Sequence, residues 1–162
     1  MSPAPRPIRD QDLLRVAQIE AESFPDPWTA RSFAETLRRH GVVGLAVEDG
    51  SGRLAGYGIC SLAADEGEIL NLAVGQASRG QGLGRVLLRA MLAQLRLGGV
   101  RSVFLEVRPS NEAAIALYRD EGFKVFGTRQ AYYRQPREDA LTMVLLLGRG
   151  PHEKDEGMRE IG

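Results

Sequence analysis

The feature that most constrains the fold is a glycine-rich loop between an apolar segment and an amphipathic one. Apolar residues dominate Glu68–Val74, glycines follow at Gly80, Gly82 and Gly84, and an amphipathic pattern then covers Leu83–Leu97. The amphipathic pattern predicts a helix with one apolar face, and the apolar segment before it predicts a strand. A glycine turn leaves the first N–H groups of such a helix free to bind an anion. The segment therefore predicts an α/β unit with an anion site at its turn.

The loop differs from two familiar phosphate loops. It lacks the Gly-Lys-Ser/Thr ending of the nucleotide-triphosphate loop, and its glycines are spaced by twos, unlike a dinucleotide fingerprint. Arg79 and Arg85 flank the helix start, where each cation opposes the helix dipole by about 0.3–1 kcal/mol. A bound pyrophosphate reverses that cost. The alternative is a tight turn that only opens the helix.

Strands and helices alternate along the rest of the chain. An early helix begins at Asp10, its predicted N-cap, and has Leu13, Val16, Ala17 and Glu20 at helical spacing. Further helices are predicted after Thr29, at Leu83–Leu97, and from Asn111 through Tyr118. Strands are predicted at Pro7–Arg9, Val42–Glu48, Arg53–Leu62, Glu68–Val74, Val100–Val107, Phe123–Arg129 and Ala140–Leu147. This order predicts an α/β or α+β sheet with right-handed crossovers, in which Val100–Val107 is buried on both faces.

Composition limits the function classes. The 162 residues are 43% apolar, which suits one domain over residues 1–147 followed by a polar tail over 148–162. Lys plus Arg and Asp plus Glu number 21 each, so no global positive field favours nucleic acid or an anionic membrane. The longest apolar run, Met143–Leu147, is too short to cross a bilayer. We expect a cytoplasmic protein.

Cysteine and histidine are scarce. Cys60 is the only cysteine, so no intrachain disulfide can form, and an inert buried thiol is expected. His40 and His152 lie far apart without partners at ligand spacing. The sequence therefore predicts no metal site.

A carboxylate interrupts the apolar strand Val100–Val107. Alternation places Glu106 on the same face as Phe104 and Arg108, and burying it unpaired is costly. It is either a catalytic base, or a group paired with Arg108 or solvated at the strand end.

Two polar residues on the next predicted helix share one face. Asn111 and Tyr118 are seven residues apart in the sequence, which is two helical turns. The alternatives to functional roles are a helix cap for Asn111 and a core aromatic for Tyr118.

Taken in order, these motifs resemble the GNAT acetyltransferase superfamily, and within it the RimI-type enzymes that acetylate the N-terminal alanine of a ribosomal protein. The resemblance covers most of the chain. The matching segments are Phe24-Pro25-Asp26-Pro27-Trp28, Asn71-Leu72-Ala73-Val74, the loop from Arg79 to Gly84, Leu105-Glu106-Val107-Arg108, the run from Ser110 to Tyr118, Gly122-Phe123, Tyr132-Tyr133 and Glu138-Asp139-Ala140. The family commonly has glutamine in place of Arg79 and a bulkier residue in place of Gly80.

The resemblance implies a GNAT fold, with a mixed central sheet of about seven strands whose middle strands splay, and about four helices. It implies acetyl-coenzyme A as co-substrate and no metal. The main chain of Leu72, Ala73 and Val74 would pair with the pantetheine arm. The residues implied to hold the pyrophosphate are Arg79, Gly80, Gln81, Gly82, Leu83, Gly84 and Arg85, and Asn111 and Tyr118 would also contact the coenzyme.

The catalytic roles implied by the resemblance fall on Glu106 as general base, acting through water, and Tyr118 as general acid toward the departing thiolate. An ammonium cannot attack a thioester, so a proton must first leave the amine. An α-amino group has a pKa of about 8, against about 10.4 for lysine, which makes N-terminal amines the easier acceptors.

The implied acceptor is the N-terminal segment of a protein, most specifically the terminal alanine of a small-subunit ribosomal protein. Phe24, Trp28, Tyr132 and Tyr133 would line its site; the alternative is that these aromatics only pack on the core. We expect a monomer that binds neither nucleic acid nor membrane directly.

Two other functions remain open. The acceptor could be a lysine side chain or a small-molecule amine. The chain could also be a degenerate module that binds acetyl-coenzyme A without turning it over, although the presence of both Glu106 and Tyr118 argues against this.

Overall fold

The computed structural model describes residues 4–134 and 136–148. Apart from Gly148, the predicted polar tail lies outside these residues. The described ranges form seven strands, four α-helices and two short 3-10 turns. The strands are β1 (Arg6–Pro7), β2 (Val42–Glu48), β3 (Leu54–Ala63), β4 (Glu66–Val74), β5 (Ser102–Val107), β6 (Lys124–Arg134) and β7 (Arg137–Leu146). The helices are α1 (Leu13–Ser23), α2 (Ala30–Leu37), α3 (Leu83–Leu97) and α4 (Glu112–Asp120).

The strands form one mixed sheet in the order β1-β2-β3-β4-β5-β7-β6. Neighbours pair antiparallel except β4 and β5, which are parallel and connected through α3. The mixed sheet and the number of helices confirm the predicted fold class. The parallel pair places the carboxyl ends of β4 and β5 beside the N-terminus of α3.

The helices cover the two faces of the sheet unequally. Helices α3 and α4 pack on one face over a large core, and α1 and α2 pack on the other face over a second core built on β2, β3 and β4. Within the described ranges no helix covers the second face of β5, β7 and β6. Strand β5 consequently buries Val103, Leu105 and Val107 but leaves Phe104 and Glu106 only partly buried. The prediction that this strand is buried on both faces is wrong for that reason.

Helix termini were predicted with one error. Thr29 and Asn111 cap α2 and α4, and their side chains accept hydrogen bonds from Ser32 N–H and Ala114 N–H. Asp10 is not the first N-cap, because it lies inside a 3-10 turn that precedes α1. The capping carboxylate is that of Asp12, which accepts a hydrogen bond of 2.7 Å from Arg9 N–H.

Within the described residues, no helix is long and apolar enough to cross a membrane.

Candidate active site

The site begins where two parallel strands separate. Glu66–Ile69 of β4 pairs with Ser102–Leu105 of β5, but β4 continues to Val74 and β5 to Val107 without further pairing to each other. Near this point Leu70 is an extra residue in β4, because Ile59 of β3 pairs with Asn71 while Cys60 pairs with Ile69. The bulge and the end of the ladder together open the sheet. A gap is left beside β4 that an extended ligand can enter.

The strand segment that borders this gap is paired on one side only. Leu72, Ala73 and Val74 pair with Gly58, Tyr57 and Gly56 of β3, so their main chain is held from one side. Their other side has no strand partner in the described part of the sheet. Such an edge can form main-chain hydrogen bonds with an amide-containing ligand.

The glycine loop leaves an open turn at the start of α3. Gly80 and Gly82 have φ angles of +80° and +79°, and a Cβ added to either would meet no atom within 4 Å. Gly82 is the N-cap of α3 and contributes no side-chain cap. The first-turn N–H groups of α3 thus have no side-chain cap and adjoin an uncrowded turn, which suits a phosphate group.

The remaining residues at the start of α3 differ in exposure and packing. Gln81 is exposed, whereas Leu83 is buried in the core, so only the main chain of Leu83 can reach a ligand. A Cβ on Gly84 would lie 3.5 Å from the side chain of Leu117, so this glycine allows α3 and α4 to approach closely.

Both loop arginines already contact protein groups. Arg79 donates to the Val74 carbonyl at 3.1 Å and to the Ser23 hydroxyl at 3.2 Å, which joins the loop to the end of α1. Arg85 donates to Glu121 at 2.6 Å and to Asp120 at 3.1 Å. These acidic partners offset the unfavourable position of Arg85 at the helix N-terminus.

Glu106 lies on the uncovered face of β5, just past the last pair of the parallel ladder. Its Oε1 accepts a hydrogen bond of 2.6 Å from Arg129, and its side chain is 16% exposed. The predicted alternative partner, Arg108, instead lies 3.4 Å from Glu138 and 4.0 Å from the centre of the Tyr133 ring. The carboxylate is thus oriented by a residue from β6.

A second carboxylate lies beside it. Glu68 of β4 is in register with Phe104, so it shares a face with Glu106 across the parallel pair. Partial burial raises the pKa of Glu68, the charge of Glu106 raises it further, and Arg129 opposes both effects. Neither Glu68 nor Arg129 was identified from the sequence, because strand register brings them to Glu106.

Tyr118 combines a buried ring with an unpaired hydroxyl. The ring packs against Phe123 at a centroid distance of 5.6 Å, and the residue is 7% exposed. No hydrogen bond joins its hydroxyl to another described residue. Burial raises the pKa of Tyr118, and the neighbouring Tyr133 adds to the effect. The residue is therefore a neutral hydroxyl with a proton to donate.

Tyr132 is brought to the site by an irregularity in β6. The register passes from Arg129–Ala140 to Tyr133–Glu138, which leaves residues 130–132 opposite Asp139 alone. Asp139 fixes this bulge by accepting a 2.7 Å hydrogen bond from the Ala131 N–H. The tyrosine pair was predicted to lie between the last two strands; it lies inside β6, because that strand extends to Arg134.

The exposed Tyr132 side chain is held by its neighbours. Arg129 lies 5.0 Å from the centre of its ring, and the Tyr133 ring contacts it edge-on at 5.0 Å. Desolvation and the neighbouring Glu106 carboxylate raise the pKa of Tyr132. Burial similarly raises the pKa of Tyr133 to about 12. Both rings remain neutral and border the Glu106 carboxylate.

The other two predicted acceptor residues lie in the connection between α1 and α2. Phe24 and Trp28 are half-buried there and pack against the core on the α1 and α2 face, and Trp28 contacts the Phe33 ring at 5.3 Å. The alternative that these aromatics pack on the core is thus partly correct. Their exposed parts remain available to a ligand.

Beneath that connection lies a buried carboxylate, Glu20. It accepts hydrogen bonds from the Tyr57 hydroxyl and from Asn71 Nδ2 at 3.2 and 3.3 Å. Its spacing with Val16 placed it on the core-facing side of α1, but its role was not recognised from the sequence. Among the described residues, no group of His, Cys, Asp and Glu side chains is arranged to hold a metal ion.

Comparison with known proteins identifies the protein family to which the chain belongs. Residues 13–123 match the model of the acetyltransferase (GNAT) family. The chain belongs to this family, and the acetyltransferase activity and the use of acetyl-coenzyme A as co-substrate that the sequence implied are confirmed.

Individual proteins similar to this chain carry more specific names than the family does. The chain is 36% identical over 140 residues to the ribosomal protein bS18-alanine N-acetyltransferase of Escherichia coli strain K12, covering 85% of this chain and 93% of that protein. It is 42% identical over 138 residues to the N-alpha-acetyltransferase RimI of Mycobacterium tuberculosis, covering 82% and 85%. The crystal structure of the ribosomal-protein-S18-alanine N-acetyltransferase from Escherichia coli has a TM-score of 0.82 and 32% identity, covering 94% of this chain and 99% of that one.

Proposed function

We propose that this protein transfers the acetyl group of acetyl-coenzyme A to the N-terminal α-amino group of a protein, namely the terminal alanine of ribosomal protein bS18. The observation that carries the proposal is the position of Glu106. It lies just past the end of the β4–β5 ladder, where Arg129 of β6 joins it to the exposed Tyr132 ring. The relatives named above, which are N-terminal acetyltransferases, support the same acceptor.

On the coenzyme side, the open edge of Leu72, Ala73 and Val74 would bind the amide-rich pantetheine arm. The loop from Arg79 to Arg85 would bind the pyrophosphate through main-chain N–H groups at the start of α3. Asn111 and Tyr118 would contact the coenzyme from α4. The thioester is thereby directed into the gap between β4 and β5.

Glu106 would act as the general base, directly or through a water molecule. It takes a proton from the acceptor ammonium, and the amine nitrogen then forms a bond to the acetyl carbon. The carbon–sulfur bond breaks, and the Tyr118 hydroxyl donates its proton to the departing thiolate. The nitrogen loses its second proton to solvent as the amide forms, and solvent returns a proton to Tyr118. A base and an acid on opposite sides of the thioester allow both transfers without a covalent enzyme intermediate.

The acceptor would lie between two borders of different origin. Phe24 and Trp28 flank it from the proline-rich connection, and Tyr132 and Tyr133 flank it from the β6 bulge. Rigid aromatic borders bind a peptide at a low entropy cost. An α-amine reaches Glu106 on a short main chain, whereas a lysine side chain needs a channel for its methylene groups.

We further propose that the enzyme works as a cytoplasmic monomer whose catalytic domain is residues 1–147, and that it binds neither nucleic acid nor membrane directly. Its formal net charge of zero supports this proposal, since a strong positive surface field is not expected. The polar residues after Leu147 would take no part in catalysis.

The test is an acceptor comparison with acetyl-coenzyme A. One peptide carries a free N-terminal alanine followed by the first residues of bS18, and a matched peptide has a blocked terminus and an internal lysine. We expect thiol release with the first peptide only. Equal rates with both peptides would refute N-terminal specificity, and release with neither would refute the acceptor class.

A further inference from the structure

Glu20 is a carboxylate in the core, with 2% exposure. Its donors come from three parts of the fold: the Tyr57 hydroxyl of β3, Asn71 Nδ2 of β4, and the Trp28 main-chain N–H, which lies 3.5 Å from Oε1. Burial raises the pKa of Glu20, whereas these hydrogen bonds lower it. A buried carboxylate is tolerated only when its oxygens are satisfied, so the convergence of donors explains how Glu20 can occupy this position.

The Asn71 amide is oriented by this carboxylate. Its Nδ2 donates to both Glu20 oxygens, at 3.2 and 3.3 Å, while its Oδ1 is buried without a hydrogen-bond partner among the described residues. Leaving an acceptor unpaired is unfavourable, so the bonds to Glu20 decide which way the amide faces. Glu20 therefore has a defined link to β4, one residue beyond the bulge at Leu70.

The groups joined by Glu20 differ in how firmly they are otherwise held. Tyr57 and Asn71 belong to the β3 and β4 ladder, which fixes their main chains. Residues 25–28 have no strand or helix pairing, and within the described structure the Trp28 N–H is the main-chain group in this stretch that finds an acceptor. Loss of Glu20 would thus release the Trp28 segment and leave the β4 edge in place.

We propose that Glu20 is a positioning residue for the acceptor, because its carboxylate holds the Trp28 main chain at the mouth of the gap by bridging it to Asn71. The inference deepens the proposed function and rests on it. Glu20 therefore contributes to acceptor binding. It does not contribute to coenzyme binding, because the β4 edge that binds the coenzyme is held by its pairing with β3.

Trp28 provides a readout that does not depend on activity, because it is the only tryptophan in the chain. Glu20→Met keeps an unbranched side chain but removes both acceptor oxygens, so we expect greater quenching of Trp28 fluorescence by acrylamide. Glu20→Gln keeps an acceptor for Trp28, and its amide can pair with Asn71 Oδ1 if the Asn71 amide reverses. We therefore expect quenching close to wild type in Glu20→Gln.

The kinetic readout is the Michaelis constant for the free-alanine peptide. Glu20→Met should raise this KM about 10- to 100-fold, the change expected when a hydrogen-bonded charged group is lost. The dissociation constant of acetyl-coenzyme A should stay within about threefold, since sites without shared partners are nearly independent. If wild type does not acetylate the peptide, the proposed function fails, and the fluorescence measurement still tests the role of Glu20.

A matched control separates positioning from general destabilisation. Val16→Ala creates a cavity in the same core without touching a hydrogen bond of Glu20, and it should lower the melting temperature while leaving quenching and peptide KM near wild type. If Glu20→Met does not fold, Tyr57→Phe removes one anchor of the carboxylate and should give a smaller change in the same direction. Unchanged Trp28 quenching in the folded variant, or an equal change in Val16→Ala, would overturn the proposal.

Discussion

Arg129 of β6 lies 2.6 Å from the Glu106 carboxylate of β5, on the face of the sheet that the described helices leave uncovered. The pair fixes the orientation of the carboxylate where the parallel strands separate. It also makes Glu106→Gln an informative change, because the amide oxygen can still accept from Arg129 while the group no longer accepts a proton. The consequences of such a variant can therefore be assigned to proton transfer.

We expect Glu106→Gln to lower kcat roughly 10²- to 10⁴-fold, the range of ordinary general-base assistance. Coenzyme affinity, measured by calorimetry, should be nearly unchanged. Glu68→Gln is the matched control, since Glu68 is the neighbouring carboxylate on β4. A larger loss of kcat in Glu68→Gln than in Glu106→Gln would transfer the role of base to Glu68.

Removing only the hydroxyl of Tyr118 tests the general acid. Tyr118→Phe retains the ring that packs on Phe123, so the melting temperature should change little. The turnover number should fall roughly 10²- to 10⁴-fold, because the departing thiolate loses its proton donor. Steady-state kinetics with the free-alanine peptide measure this loss. Near-normal turnover would mean that solvent protonates the leaving group.

The glycine loop can be tested by a pair of substitutions of equal size. Gly82 has a φ of +79° and open space where a Cβ would lie, and both asparagine and aspartate adopt this backbone region more readily than other residues. Gly82→Asp adds a negative charge at the start of α3, where the coenzyme pyrophosphate would bind, and Gly82→Asn does not.

In wild type, acetyl-coenzyme A at about 100 times its dissociation constant should stabilise the fold by about 2.7 kcal/mol. We expect Gly82→Asn to keep most of that stabilisation in a thermal-shift measurement and Gly82→Asp to lose it. Without ligand, Gly82→Asp should melt no lower than Gly82→Asn, because an acidic N-cap favours the helix dipole. Equal ligand-induced shifts in the two variants would exclude phosphate binding at this loop.

Local patterns in the sequence determined most of the fold. Helix α3 was predicted at its observed bounds, since its amphipathic period is long and glycines stand at both ends. The face of Glu106 followed from alternation along β5. Its partner Arg129 could not be predicted, because their contact depends on the order β5-β7-β6 and on the register of strands distant in sequence.

Two features of the site were not recognised from the sequence: the role of Glu20 and the bulge at residues 130–132. Glu20 has helical spacing with Val16 on a side of α1 that otherwise faces the core, and a carboxylate in that position indicates a buried network. Sequence spacing could not show that its donors are Tyr57, Asn71 and Trp28. The bulge at residues 130–132 was also missed, because its sequence has no glycine; Ala131 adopts a φ of +50° with support from Asp139.

Acid stability should depend on Asp12. Its carboxylate accepts from Arg6 at 2.8 and 3.0 Å and from Arg9 N–H at 2.7 Å, and the hydrogen bonds from Arg6 are the main reason that its pKa is lowered. A lowered folded-state pKa means that the stabilisation is present above the unfolded value of about 3.9 and is lost as pH falls through the folded value.

Asp12→Asn keeps the cap acceptor but loses the ion pair, so it should lower the free energy of unfolding by about 1–2 kcal/mol at pH 7. The difference between wild type and the variant should shrink as pH falls below about 3.9. Urea denaturation at a series of pH values measures both quantities. A difference that stays constant down to about pH 2 would show that Asp12 does not titrate with folding.

The last prediction concerns the acceptor border formed by Tyr132. The residue is 46% exposed, its ring lies against the Arg129 guanidinium, and the bulge that Asp139 supports keeps it out of the regular ladder. An exposed ring beside the proposed base is available for contact with the first residues of a peptide. Tyr132→Ala should therefore raise KM for the free-alanine peptide about tenfold, the loss expected for one aromatic contact at an interface.

The KM for acetyl-coenzyme A should change much less, because the proposed coenzyme site lies across the gap on β4 and α3. Tyr132→Phe is the control for the ring itself: it retains the ring and removes the hydroxyl that neighbours Glu106. If the ring makes the contact, Tyr132→Phe should keep a peptide KM near wild type. An equal rise of both Michaelis constants in Tyr132→Ala would instead mean that the substitution disturbs the whole site, and the β6 bulge would then not be an acceptor border.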